Sequence, residues 1–198
     1  MRKYMKYMLL FFLAGCSLFE TRDPEDPINT NSSFKPPYTA GTVISNFVNS
    51  IAEKNPNNYI ACFSDSSQGD AMSFVFVPSQ EAMSNYPGLF VNWSLTQEKR
   101  HINYLVNNIS TDSVPFIYLA NTTNFDVLLT DSAIITTDYE LTPRHSKEKS
   151  IIKFRGTLQF ALYRRKSNGW WSIQRWSDNR LENDSASTTW SILKGIFY

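Results

Sequence analysis

Hydrophobic periodicity starts near Thr39 and changes character twice along the chain. Val43, Ile44, Phe47, Val48 and Ile51 recur at helical spacing. Ser45, Asn46, Asn49, Ser50 and Glu53 fill the opposite face, so the spacing predicts an amphipathic helix ending near Asn55. Asn55-Pro56 reads as a new N-cap followed by proline at the first helical position. A short second helix should carry Tyr59, Cys62 and Phe63. Beyond a polar loop from Asp65 to Asp70, the run Met72 to Val77 is apolar and β-rich and is stopped by Pro78, which predicts a strand. Ser94 and Gln97 have the spacing of a capping box. The stripe Leu95, Ile102, Leu105, Val106 and Ile109 predicts the helix that follows.

The second half has the two-residue period of strands. Phe116 to Leu119 is a short candidate. Asn124 to Leu141 is a long β-rich run ended by Pro143. Arg144 to Lys149 is a charged hairpin loop, and Ile151 to Arg164 places Phe154, Leu158, Phe160 and Leu162 on one face. Ser167-Asn168-Gly169 is a turn signal before a last strand from Trp170 to Asp178. The tail from Leu181 holds Trp190, Ile192, Leu193, Ile196 and Phe197, enough apolar surface to dock on the rest. Helices first and long antiparallel strands afterwards predict an α+β domain, with N-terminal helices packed on a curved sheet. A closed antiparallel barrel of the lipocalin kind is the rival, and the helix-first order counts against it.

The first residues follow another logic. Arg2, Lys3 and Lys6 precede the apolar run Met8 to Leu13, then Ala14, Gly15 and Cys16. The run is far short of the ~20 apolar residues that span a bilayer. Leu13-Ala14-Gly15-Cys16 resembles the lipobox of bacterial lipoprotein signal peptides. The resemblance implies cleavage between Gly15 and Cys16, a diacylglycerol thioether on the Cys16 sulfur, and often a further acyl chain on the new amino group. Two or more chains anchor stably where one does not. The implied location is the cell envelope, facing the periplasm or the cell surface. Ser17, standing where aspartate favours inner-membrane retention in enteric bacteria, points toward the outer membrane. Residues 1–15 are then signal peptide and 16–38 a lipidated tether rich in proline and polar residues. Residues 39–198 are the domain with its docking tail.

Charge and cysteine use narrow the chemistry. Loss of Arg2, Lys3 and Lys6 takes the formal charge from +1 to −2, and no basic patch suggests a nucleic-acid partner. With Cys16 lipidated, Cys62 is the one thiol left, so no internal disulfide can form, and beside Phe63 it reads as a buried small hydrophobe. His101 follows Lys99 and Arg100 and reads as a solvated or boundary position; His145 sits in a charged turn and reads as exposed. Neither stands in a metal-ligand pattern, and no phosphate loop, dinucleotide fingerprint or nucleophile elbow occurs, so no metal, cofactor or catalytic residue is assigned.

The amphipathic first helix running into Asn57-Asn58-Tyr59 carries a second resemblance. So does the final hairpin, where Phe154 to Phe160 leads through Asn168-Gly169 to Trp171-Ser172-Ile173 and Trp176-Ser177-Asp178. These features resemble the nuclear transport factor 2-like superfamily, also called SnoaL-like or cystatin-like, over most of residues 39–180. The resemblance implies a conical sheet whose mouth can hold a ligand. It also implies, in the family's enzymes, an acid or base inside the cone, and pairing through the outer sheet face as a route to a homodimer. Asp126, Asp131, Asp138 and Asp178 lie on or beside strands and read first as exposed carboxylates or strand-end caps. Trp190 reads with Trp170, Trp171 and Trp176 first as core filling. Trp170, Trp171, Trp176, Tyr139 and Asp131 are the candidate pocket or interface residues, Asp131 sharing a face with Tyr139 only if the strand is unbroken. The leading expectation is a non-catalytic lipoprotein whose domain binds a protein partner or small ligand. The alternatives are an enzyme of the SnoaL or ketosteroid-isomerase kind and a structural part of an envelope assembly.

Overall fold

The structure, a computed structural model, describes residues 32–147, 153–184 and 186–198. The expected signal peptide, Cys16 and nearly all of the tether lie outside the described residues, as does the end of the loop expected at Arg144 to Lys149. Ser33–Tyr198 is one compact unit with its own hydrophobic core. It begins earlier than Thr39 because Lys35 exchanges two backbone hydrogen bonds with the Asn46 side chain, and the Ser33 N–H donates to Glu53.

Helix α1 (Ala40–Ala52) starts where Thr39 accepts from the Thr42 N–H, and it buries the expected Val43, Ile44, Phe47 and Ile51. Asn55 caps α2 (Pro56–Ala61). Strand β1 is only Val75–Val77, and a short helix α3 (Gln80–Asn85), capped by Ser79, follows where sequence periodicity was too brief to read. Helix α4 (Leu95–Asn107) has the full Ser94/Gln97 capping box. Then come β2 (Phe116–Leu119) and β3 (Val127–Leu128). The remaining strands are β4 (Ser132–Thr142), β5 (Phe154–Arg164) and β6 (Trp171–Asn179). The β-rich run 124–141 is therefore two strands, broken where the Leu129 N–H donates to the Ser132 carbonyl across a tight turn. The apolar tail forms helix α5 (Trp190–Ile196).

Among the described residues the strands form one six-stranded sheet in the order β1-β6-β5-β4-β2, with β3 also on β4. β1 runs parallel to β6, and the other pairs are antiparallel. β1 and β2 end the sheet, so it is open, unlike a closed barrel. A register shift at Ala161/Leu162 bends the β5–β6 ribbon, as bulges do. Helices α1 and α2 cover its inner face. Phe47 touches Tyr59, Phe63, Phe160 and Trp176, at ring-centroid separations of 5.2 to 6.2 Å. Each large side chain removed from water here contributes ~1.5–3 kcal/mol. The α+β class expected from the element order is the observed one.

Candidate functional site

The inner face of the sheet carries polar groups among its apolar ones. Asp178 on β6 lies opposite Leu158, is fully buried, and accepts from the Tyr139 hydroxyl at 2.7 Å. Tyr139 on β4 faces Gly156 on β5. A Cβ on residue 156 would lie 2.8 Å from the Tyr139 hydroxyl and 2.4 Å from the Asn179 carbonyl. Glycine at 156 thus leaves the space across which Tyr139 reaches Asp178. Burial raises the Asp178 carboxyl to about 6, while donors from Ser191 and Tyr139 hold it from going further.

The C-terminal segment closes over this pair. Ser191 donates to Asp178 from both its N–H and its hydroxyl, and the Trp190 N–H donates to the Tyr139 oxygen at 2.6 Å. The Trp190 ring lies within 5.7 Å of Phe47, Tyr139 and Trp176. One turn further along α5, Lys194 is fully buried and paired with Glu98 of α4. Its ammonium lies 4.2 Å from the Trp176 ring centre and 4.5 Å from that of Phe76, with Trp93 at 5.5 Å. Glu98 also accepts from the Tyr59 hydroxyl and the Trp93 indole, both at 2.7 Å. Burial works to raise the Glu98 carboxyl, but Lys194, aided by His101 and the Tyr59 hydroxyl, brings it below its ordinary range. The Tyr59 hydroxyl is pushed well up by burial and by Glu98.

His101 is fully buried, which overturns the solvated or boundary position expected for it. It lies three residues after Glu98 and four before Leu105, so it belongs to the face of α4 that meets α5. Its Nδ1 lies 3.2 Å from the Phe197 carbonyl, and burial, reinforced by Lys194, lowers its pKa to about 3. His145 is likewise not exposed: its ring lies 4.9 Å from Phe197, and it bridges Ile109.

The candidate pocket residues separate. Tyr139, Trp171 and Trp176 are buried, with Tyr139 and Trp176 both against Trp190. Trp170 is half-buried at the start of β6 and meets Tyr38 edge-on at 6.4 Å. Asp131 is exposed in the turn before β4, about 26 Å along the strand from Tyr139, so the two form no common site. Asp126 and Asp138 are exposed as expected, and Asp178 is not. Cys62 is buried, donates to the Asn58 carbonyl, and is held as a thiol by burial.

Glu98 and Lys194 went unread in the sequence, although both stand in phase with apolar stripes. Glu98 falls between Leu95 and Ile102, and Lys194 follows Trp190 by one helical turn. A charge in phase with an apolar stripe was the available signal.

Chemically, this interior offers two carboxylates, two tyrosine hydroxyls, an ammonium and an imidazole, all engaged by the chain itself except His101 Nε2, which is buried without a hydrogen-bond partner. An outside molecule could reach Asp178 only if α5 moved away. The surface depressions have other walls, and the one of about 540 Å³ lies between Asp138, Arg155 and Asp184. One of about 410 Å³ lies between Ser79, Glu81 and Arg180, and one of about 310 Å³ between Asp70, Asp131 and Arg164. Among the described residues no cluster of three or more histidine, cysteine, aspartate or glutamate side chains could hold a metal ion. No described helix is long and apolar enough to cross a membrane.

No protein-family model and no curated protein sequence matches the chain. Solved structures do resemble it. A nuclear transport factor 2-like superfamily protein from Salmonella enterica superposes over 73% of this chain and 90% of its own, at 12% identity and a TM-score of 0.52. A candidate scytalone dehydratase from Novosphingobium aromaticivorans superposes over 74% and 87%, at 11% identity and a TM-score of 0.51. At this identity the likeness is one of fold, and the fold is nuclear transport factor 2-like: α+β, with helices on a curved, open antiparallel sheet.

Proposed function

We propose that this protein is a lipid-anchored envelope lipoprotein whose domain works by binding a protein partner, not by chemistry in its cone. The observation that carries the second half is the filled cone: Trp190, Ser191 and Lys194 occupy the inner face and satisfy Asp178, Tyr139 and Glu98. A substrate there would have to displace a helix whose side chains are almost wholly buried. The anchor rests on the lipobox Leu13 to Cys16. Partner binding is supported by the outer sheet face, where Phe116 and Tyr118 are about half exposed on the edge strand β2. An edge strand with exposed aromatics offers both backbone groups and apolar area to a second protein.

Cys16→Ser tests the anchor. The parent should fractionate with membranes and carry a diacylglyceryl mass on the processed chain; the variant should lose both. A variant that stays processed and membrane-bound would refute anchorage. Native mass spectrometry of the gently extracted lipoprotein tests the rest. A stoichiometric protein partner lost on Phe116→Ser/Tyr118→Ser supports the binding role, and a bare monomer speaks against it.

One observation favours an enzyme instead: a buried carboxyl raised to about 6 beside a tyrosine hydroxyl is the equipment of a general base. That reading requires α5 to open, and it predicts that disrupting α5 uncovers an activity that Asp178→Asn abolishes.

A further inference from the structure

The cavity of about 310 Å³ opens where β5 turns toward β6, at the end of β4 opposite to the residues that pair with Phe116 and Tyr118. Its volume falls within the ~300–1,000 Å³ of small-molecule sites. The loop 64–72 forms one wall, and Asp131 with Tyr163, Arg165 and Lys166 forms the other.

Arg165 is the fixed element. Its side chain is 13% accessible and meets Asp70, 6% accessible, through Nε at 2.6 Å and Nη2 at 2.8 Å. Asp70 is held in turn, for one oxygen also accepts from the Asp65 N–H at 2.7 Å and the other faces the Ser172 hydroxyl at 3.4 Å. Ser172 is itself buried against Ser64. The pair joins the loop to the β5–β6 turn, yet it uses only one edge of the guanidinium. The Nη1 edge has no partner among the described residues. A guanidinium locked along one edge by a buried carboxylate is preorganised to offer its other edge to a second planar carboxylate.

Net charge selects nothing here. Exposed Arg164 and Lys166 are matched by Asp131 and Asp65, and Arg165 by Asp70. Arg164 folds back to donate to the Gly169 carbonyl, and Asp65 accepts from Ser67. Asp131 differs: only its backbone carbonyl is engaged, by the Arg164 N–H, and its carboxylate is exposed at the cavity without a partner among the described residues. A wall with a donor edge at one point and a free carboxylate at another favours a molecule bearing both charges over a bare anion, which Asp131 would repel. Ala71, Met72 and the Tyr163 ring give its apolar part a surface to lie on.

We propose that this cavity binds a small zwitterion, a free amino acid or short peptide with an apolar side chain, its carboxylate on the open edge of Arg165 and its ammonium on Asp131. Neither the lipid anchor nor the partner-binding face enters, so this site can fail while both stand, and the reverse.

The test follows the amide signals of isotope-labelled Ser33–Tyr198, the compact unit with its own core, during titration. The probes are L-leucine, glycyl-L-leucine, 4-methylpentanoate (leucine without its ammonium) and isoamylamine (leucine without its carboxylate). The zwitterions should shift the amides of Asp70, Met72 and Arg165 saturably, and the tighter of the two tells a free amino acid from a peptide. Binding of 4-methylpentanoate should be about fivefold weaker, the contribution of an exposed ion pair. Isoamylamine should be weaker by about tenfold or more, having nothing for the guanidinium. Asp131→Asn should bring leucine down to 4-methylpentanoate and leave the melt unchanged. Arg165→Lys keeps a cation on Asp70 but lacks the second edge, and should weaken both carboxylates by about tenfold or more. Asp131→Asn reads the site even where the Arg165 variant loosens the loop. No saturable shift at ~10 mM of either zwitterion, well above a Kd of ~1 mM, would overturn the proposal and leave Asp70 and Arg165 as a staple between loop and turn. So would either one-charge probe matching leucine, shifts centred elsewhere, or affinities indifferent to Asp131→Asn.

Discussion

Replacing Lys194 with methionine tests how the cone is closed. Methionine fills similar space without a charge, so the change removes a partner and not a volume. Glu98 would then remain buried with the Tyr59 and Trp93 donors but with no cation. Breaking a buried pair from one side costs ~3–5 kcal/mol, because the surviving charge has no compensation. A domain of this size loses ~2–4 °C per kcal/mol, so the midpoint of Ser33–Tyr198 should fall by ~6–20 °C in a calorimetric melt. The double variant Glu98→Gln/Lys194→Met removes both charges. It should recover ~2 kcal/mol or more relative to Lys194→Met alone, since neutral buried groups with partial hydrogen bonding cost far less. A Lys194→Met protein melting within ~1 kcal/mol of the parent, or a double variant less stable than the single, would refute the reasoning.

Two further outcomes follow from the same interior. Gly156→Ala should destabilise by roughly 2–3 kcal/mol in urea unfolding, because the added methyl meets the Asn179 backbone carbonyl, which cannot rotate away; an unchanged midpoint would contradict that contact. Stability against pH should show two opposed slopes. The His101 pKa is lowered to about 3, so its contribution is full above the unfolded value of ~6.5 and is lost as pH falls toward 3. Asp178 is raised to about 6, so its contribution is full below ~3.9 and is lost as pH rises through 6. Each slope is ~1.4 kcal/mol per pH unit, and they nearly cancel between about pH 4 and 6. His101→Gln removes one slope and should make stability fall as pH rises over that window. Superimposable profiles for parent and variant would rule out the buried imidazole as the acid-sensitive group.

What could be read from the chain was what repeats. The stripes of α1 and α4 and the alternation along β5 each involve several residues, and each element stands where periodicity placed it. The short α3 is a single pair of turns with no repeat to detect, and β1 keeps only half its expected length because only Val75 to Val77 pair with β6. The errors over His101 and Asp178 share one cause. Their own polarity and their neighbours in sequence point outward, yet their burial is decided by a helix many residues away. Nothing local to Asp178 announces that Ser191 will donate to it twice. Asp131 and Tyr139 failed as a pair because one tight turn separated the first from the strand. That the tail would dock was legible from its apolar content. Its path into the cone was not, because it depends on tertiary partners.

The position of α5 in the chain also governs when the domain can finish folding. This helix follows every strand, yet its Trp190 packs on Phe47 of the first helix at 5.6 Å. Closing a loop of that length before its contacts reward it makes the final step slow and late. Until then the sheet and α1 can assemble around a wet hollow, with Phe47, Phe160 and Trp176 facing solvent. Such an intermediate has an aromatic mouth, an Asp178 without its Ser191 donors and a Glu98 without its cation, the condition in which chains stick to one another or to a chaperone. Chain order thus predicts that Trp190 and Lys194 arrive after the sheet, so a Trp190→Ala variant should unfold faster while folding at the parent's rate until that last step.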